Sequence, residues 1–281
     1  LSEPTKGDEM SGEIDPKVEK VWHDLMTYGE TDREKRFRSI FRMFSAETKC
    51  KWCDLPFDHP VSPLIHFIFN KRPAKYNPQF CNVCEDFAQK FQGGAEVKMT
   101  MLFADIRGST ALAEKLGNVA FKNLIDHFYQ VTTNVLIGCD AIIDKLVGDE
   151  VTAFFVPGMA GGEYPARAVE AAEEILRQTG HGTTEGPWAP VGVGVHTGVA
   201  YIGAVGSSSG LVDITALGDA VNVAARLAAS AGAGEILLSD ETIHAAGIDA
   251  AGMEHRFLSL KGKSEEFPVY VKRSAPQPVS S

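Results

Sequence analysis

The chain has 281 residues, a hydrophobic fraction of 44% and a formal net charge of −10. That length suits one substantial domain plus a smaller module. The acidic balance argues against general nucleic-acid binding, and no apolar run approaches the roughly 20 residues of a membrane span. The first residues, LSEPTKGDEMSGEID, are polar and acidic, without the apolar stretch of a secretory leader. A cytoplasmic location is expected. The charge is uneven: residues 33–75 hold ten Lys/Arg against four Asp/Glu, which reads as a solvated basic face.

Residues 1–16 read as a disordered tail. From 17 to 28, Val18, Val21, Trp22, Leu25 and Met26 fall at helical spacing. Thr31 or Asp32 can cap a second helix with Phe37, Ile40, Phe41 and Phe44 along one side. Such a helical hairpin can pack on the rest of the chain or on a second subunit.

Cys50-Lys-Trp-Cys53 and Cys81-Asn-Val-Cys84 follow, separated by 27 residues. Two such pairs in a cytosolic chain point to a metal rather than to disulfides. The separation exceeds the usual zinc-ribbon range of about 15–20 residues. Tetrahedral zinc is the first expectation, and an iron–sulfur cluster is the alternative, because four thiolates serve either. His59 and His66 lie between the pairs and read as structural, since four Cys complete a site. Cys139 reads as a core thiol. Residues 17–92 therefore form a helical, four-Cys metal-binding regulatory module. A short helix over 85–91 and the Gly93-Gly94 break close it.

Residues 97–110 read VKMTMLFADIRGST. Alternating apolar residues predict a strand that ends at Asp105 and turns through Gly108 into a helix. A strand-end carboxylate can hold a hard cation, and the amides after it can face phosphate oxygens. A helix follows over 121–136, with Phe121, Leu124, Ile125, Phe128, Val131 and Val135 on one stripe. Residues 140–155, DAIIDKLVGDEVTAFF, predict a hairpin turning at Gly148-Asp149. Laid beside the first strand, it brings Asp149 to the cation held by Asp105. A second helix spans 163–178. Residues 190–206 read as two short strands turning at Thr197-Gly198. Gly192 and Gly194 precede a strand, not a helix, which excludes a dinucleotide motif. In DITALGDAVNVAARL, residues 213–227, Asn222 and Arg226 share a helix face. Residues 220–230 are helical, 235–238 a strand, and a short helix starts at Asp240. Strands near 255–260 and 268–272 end the domain before a tail at 274–281. The leading strand–helix–strand–strand–helix–strand order is ferredoxin-like, of the α+β class.

The three stretches at 97–110, 140–155 and 213–227, with Lys145 and the KGK segment 261–263, resemble the catalytic domain of class III nucleotidyl cyclases. The resemblance covers residues 95–273. It implies a ferredoxin-like cyclase core that converts ATP to 3′,5′-cyclic AMP and pyrophosphate in intracellular signalling. It further implies a two-metal mechanism at a homodimer interface. Asp105 and Asp149 resemble the family's metal-binding pair, with the Ile106 carbonyl as a further ligand for two Mg²⁺ or Mn²⁺ ions per site. Asn222 resembles the residue that orients the ribose. Arg226 resembles the one that neutralises charge on the α-phosphate. Lys261 resembles the residue that grips the terminal phosphates, with Lys263 a substitute.

Lys145 and Thr215 resemble the base-reading pair. A Lys donates to adenine N1, and a Thr hydroxyl can accept from the 6-amino group; guanine reverses both. The Thr resembles a subclass that includes bicarbonate-responsive members. Some members also carry an Arg just before the Gly-Val-His-Thr-Gly strand; here that region is Pro190-Val191-Gly192-Val193. Pyrophosphate stabilisation then falls to Lys261, Lys263 or Arg107. The alternatives to an adenylyl cyclase are a guanylyl cyclase and a non-catalytic nucleotide-binding or metal-sensing protein on the same fold.

Overall fold

The computed structural model describes residues 15–29, 31–44, 46, 48–206, 211–259 and 266–274. Asp15 caps α1 (Pro16–Tyr28) by accepting from the Lys17 N–H at 2.9 Å. Thr31 and Glu34 form a capping box that starts α2 (Asp32–Arg42). Next come α3 (Ser62–Phe69) and α4 (Asn82–Lys90). The larger part begins with β1 (Gly93–Ile106), α5 (Ser109–Leu116), α6 (Asn118–Gly138), β2 (Ile142–Val147) and β3 (Glu150–Phe155). It continues through α7 (Pro157–Ala160), α8 (Tyr164–Gln178), β4 (Val191–Gly206), β5 (Val212–Leu217) and α9 (Asp219–Ser230). It ends with β6 (Glu235–Ser239), α10 (Asp240–Ala245), β7 (Glu254–Leu258) and β8 (Phe267–Arg273).

Among the described residues the strands form one eight-stranded sheet, in the order β2-β3-β1-β4-β6-β8-β7, with β5 paired to β4. The β2-β3-β1-β4 portion is the ferredoxin-like order that the element sequence predicts. Because side chains alternate along a strand, β1 serves two cores. Leu102, Ala104 and Ile106 meet Phe128 and Leu136 of α6 and Ile175 and Leu176 of α8. Val97, Met99, Met101 and Phe103 face the other way, toward Ala220, Ala224 and Ala228 of α9.

That second face also receives the N-terminal module. Trp22, Met26, Phe41, Trp52 and Leu55 belong to the same buried cluster. The indole N–H of Trp22 donates to the Phe91 carbonyl at 2.8 Å, and its ring meets Trp52 and Phe87 edge-on. At the end of α1, Gly29 has φ 85° and lies so close to α7 that a Cβ would sit 2.0 Å from the Gly158 carbonyl oxygen. No side chain fits there. Arg42 pairs with Asp54 within the module and with Asp140 after α6. Of the two packing partners open to the helical hairpin, it uses the sheet of its own chain.

The structure corrects the reading of residues 190–206. Val191–Gly206 form one 16-residue strand, with no turn at Thr197-Gly198. Thr197 pairs with Thr100 and Gly198 with Met99 on an unbroken β1, and the Thr100 and Thr197 hydroxyls meet at 2.8 Å. Gly198 serves close packing instead: a Cβ there would lie 2.9 Å from that of Ala220 on α9. β5 and α3 were not expected from local pattern. No described helix is long and apolar enough to cross a membrane.

Candidate active site and cysteine centre

Asp105, next to last in β1, lies opposite Glu150 of β3. The Ile106 N–H donates to the Asp149 carbonyl at 3.1 Å, which latches the hairpin turn beside the strand end. The Tyr129 hydroxyl holds the turn from the other side by donating to the Gly148 carbonyl at 2.8 Å. Asp105 Oδ2 pairs with the Arg107 guanidinium, whose Nη1 donates to the Ala229 carbonyl at the end of α9. Asp105 Oδ1 is buried and, among the described residues, accepts no hydrogen bond. A buried carboxylate oxygen without a partner costs free energy, which a hard cation there would recover. Burial lowers the Arg107 pKa, and Asp149 and Glu150 oppose the shift. Burial raises that of Glu150. The corner is thus rich in carboxylate oxygens and low in dielectric, which fits a divalent ion.

Lys145 lies on β2 and is exposed, whereas Thr215 lies on β5 and is buried. Both meet Asp144. The Thr215 hydroxyl donates to Asp144 Oδ2 at 3.2 Å, and the Lys145 ammonium stands 4.0 Å from the same oxygen. Burial pushes the Asp144 carboxyl up, while Lys51, Lys145 and Thr215 pull it back. A cavity of about 550 Å³ opens beside Asp144 and Lys145, between them and the cysteine-bearing loop.

Asn222 and Arg226 project from α9, the first exposed and the second half-buried. α9 sits low on the sheet because Gly194 makes room; a Cβ at Gly194 would lie 2.2 Å from the Ala228 nitrogen. Among the described residues, no hydrogen bond or ion pair joins the Asp105–Asp149 corner to the Lys145–Thr215 group or to Arg226. Lys261 and Lys263 lie outside the described residues.

Residues 95–271 match the family described as the adenylate and guanylate cyclase catalytic domain. The chain belongs to the class III nucleotidyl cyclases. An adenylate cyclase of Anabaena cylindrica is 33% identical over 136 residues, 46% of this chain and 26% of that protein. Adenylate cyclase 1 of Rhizobium meliloti is 30% identical over 135 residues, 46% of this chain and 20% of that protein. The matched segments are a small part of both relatives. Among solved structures, the adenylyl cyclase of P. aeruginosa superposes with a TM-score of 0.54 at 28% identity, covering 63% of this chain and 94% of that one. A guanylyl cyclase structure shares the fold, with a TM-score of 0.57 at 24% identity over 67% of this chain and 98% of that one.

Upstream of the cyclase domain, the four cysteines converge. The sulfurs of Cys50, Cys53, Cys81 and Cys84 all lie within 4.8 Å of one another and are buried. Cys53 and Cys81 are 3.7 Å apart. A tetrahedral Zn–S site with bonds of about 2.3 Å has sulfurs roughly 3.8 Å apart, so the donor set fits zinc. The Cys81 N–H donates to the Cys50 sulfur at 3.2 Å, which favours a thiolate there. Contacts with Cys50, Cys53 and Cys81, together with burial, push the Cys84 thiol well up. Four thiols this close cannot all ionise without a cation to neutralise them. His66 bonds the Pro56 carbonyl, and the His59 ring nitrogen meets the Val61 N–H; both connect the loop to itself.

Two residues beside Lys145 and Thr215 escaped the sequence reading. Asp144 is the unpaired residue of a β-bulge, where the β2–β3 register shifts between Ile143 and Lys145. Lys51, inside the first cysteine pair, reaches Asp144, Asp213 and the Ile214 carbonyl. Only the presence of a Lys between two cysteines could have drawn attention to it.

Proposed function

We propose that this cyclase domain is an adenylyl cyclase that converts ATP to 3′,5′-cyclic AMP and pyrophosphate at two sites of a homodimer. The observation that carries the choice of base is the convergence of Lys145 and Thr215 on Asp144. It sets an ammonium donor beside a hydroxyl whose proton is already engaged. That pair matches adenine N1 and the 6-amino group and opposes the guanine edge.

Asp105, Asp149 and the Ile106 carbonyl would hold Mg²⁺ or Mn²⁺, and the unpartnered Asp105 oxygen supports that assignment. Bound divalent ions supply Lewis-acid stabilisation of the attacking and leaving oxygens. Asn222 orients the ribose, and Arg226 neutralises charge on the α-phosphate. Arg226 has no ion-pair partner among the described residues, which leaves its guanidinium open to phosphate. Lys261 serves the terminal phosphates, together with Lys263 or Arg107. Among the described residues no hydrogen bond or ion pair links the carboxylate corner to Lys145, Thr215 or Arg226 within one chain, which supports a site completed by a second subunit. Residues 17–92 act as the regulatory module and 95–273 as the catalytic domain, in an intracellular signalling enzyme.

Replacing the base readers tests the choice. Lys145→Glu with Thr215→Cys is expected to lower the ATP-to-GTP ratio of kcat/KM by about tenfold or more, since each mismatched hydrogen bond costs on the order of 1 kcal/mol. An unchanged ratio would show that other residues read the base.

The cysteine centre is proposed to bind one zinc ion, or an iron–sulfur cluster, per chain. Elemental analysis of the purified protein is expected to find one zinc, or iron with acid-labile sulfide and visible absorbance. Cys50→Ser with Cys81→Ser should lose that content. Metal-free wild-type protein that is soluble and fully active would remove both the centre and its role.

A further inference from the structure

A Thr hydroxyl alone does not select a purine, because it rotates and can donate or accept. Its choice must be imposed by a neighbour. We propose that Asp144, held by Lys51 from inside the Cys50–Cys53 turn, fixes the Thr215 hydroxyl as an acceptor and thereby sets the site for adenine. The inference rests on the adenylyl cyclase reading and adds the residues that enforce it.

The chain of contacts is continuous. The Lys51 backbone N–H donates to the Gln79 carbonyl at 2.8 Å, so its position is fixed by the fold of the cysteine loops. Its ammonium is buried and donates to Asp213 Oδ1 at 2.9 Å, the Ile214 carbonyl at 3.0 Å and Asp144 Oδ1 at 3.4 Å. A Lys has three donors, and all three are used. Lys51 is therefore engaged with protein and has no donor left for a phosphate.

Asp144 is held with its side chain only 4% exposed. Being the extra residue of the bulge, it turns inward while Lys145 beside it faces out. An ionised carboxylate only accepts. The single Thr215 proton consequently goes to Asp144 Oδ2, and what Thr215 offers a nucleotide is a lone pair. The adenine 6-amino group donates to a lone pair; the guanine 6-oxo group is repelled by it. Lys145 faces the same carboxylate, so one group aligns both base readers. A second tie steadies β5: Asn77, between the two cysteine pairs, donates from Nδ2 to the Val212 carbonyl at 3.1 Å. Loosening the cysteine loops thus loosens the strand that carries Thr215. Asp144 and Lys51 are positioning residues, acting through Thr215.

The test uses the full chain and two probes that bind but cannot cyclise, 3′-deoxy-ATP and 3′-deoxy-GTP, with affinities measured by calorimetry. In Asp144→Asn the side-chain amide can donate to Thr215 and turn its proton toward the nucleotide. The ratio of ATP-probe to GTP-probe affinity is expected to fall about tenfold, through weaker adenine and stronger guanine binding. Lys51→Met should shift the ratio in the same direction while the metal content of the cysteine centre is retained. In a Thr215→Val background, adding Asp144→Asn should change the ratio by less than about twofold, because the two act as one unit. If Asp144→Asn fails to fold, Lys51→Met and Thr215→Val with their combination carry the same cycle. A wild type that prefers the GTP probe would overturn the adenylyl reading and this inference together. A wild type that prefers the ATP probe, with variants that keep its ratio or add independently to Thr215→Val, would overturn the relay alone. Tighter ATP-probe binding in Lys51→Met would also overturn it, by marking Lys51 as a lock over the site.

Discussion

Asp105→Asn and Asp149→Ala are each expected to lower cyclic AMP formation at least about a hundredfold while the protein remains folded. The two carboxylates stand at a strand end and at a hairpin turn joined by the Ile106–Asp149 hydrogen bond. Neither anchors the hydrophobic core. Asp105 even carries a cost, since its Oδ1 is buried without a partner among the described residues. Making it neutral relieves that cost but weakens the pair with Arg107, so the net change in thermal stability should be small. Asn is the more informative substitution at 105, because Ala would also strip Arg107 of its partner. Activity and melting temperature of the purified variants check the point. Near-normal turnover in either would remove that residue from the mechanism, and loss of folding would make it structural.

The second large effect is recovery. Asp105→Ala and Arg226→Ala should each be inactive alone. In the proposed head-to-tail dimer each site would take Asp105 and Asp149 from one subunit and Lys145, Thr215, Asn222 and Arg226 from the other. A mixed dimer of the two variants then has one doubly defective site and one intact site. In dimers that carry one copy of each variant, roughly half of wild-type sites return, by two-fold symmetry. Co-expression with two different tags, purification through both and an activity assay provide the measurement. Proven mixed dimers without activity would mean that each subunit holds its own site.

The order of elements was legible in the sequence because the apolar periodicities are clear: period two in β1, helical stripes in α6 and α8. Asp105 and Asp149 stood out because each follows an apolar run and borders a glycine turn. Thr197-Gly198 misled for a similar reason. The pair resembles a turn locally, but β1 offers an unbroken partner over the whole length of β4, and pairing overrides the dipeptide. The Lys51–Asp144–Thr215 contacts were not legible at all. They join residues far apart in the chain through a bulge that shifts register by one residue, and nothing in DKLVGD announces it. Nor could the sequence choose where the helical hairpin docks. That depended on Gly29 and Gly158 letting two backbones touch.

The proposed activity is decided by turnover of the purified chain, with ATP and GTP offered separately and together under Mg²⁺ and Mn²⁺ and the products separated by chromatography. An adenylyl cyclase should give 3′,5′-cyclic AMP with equimolar pyrophosphate, formed only with a divalent cation and in clear preference to cyclic GMP. Cyclic GMP as the main product, or no cyclic nucleotide from dimeric, metal-replete protein, would contradict that activity.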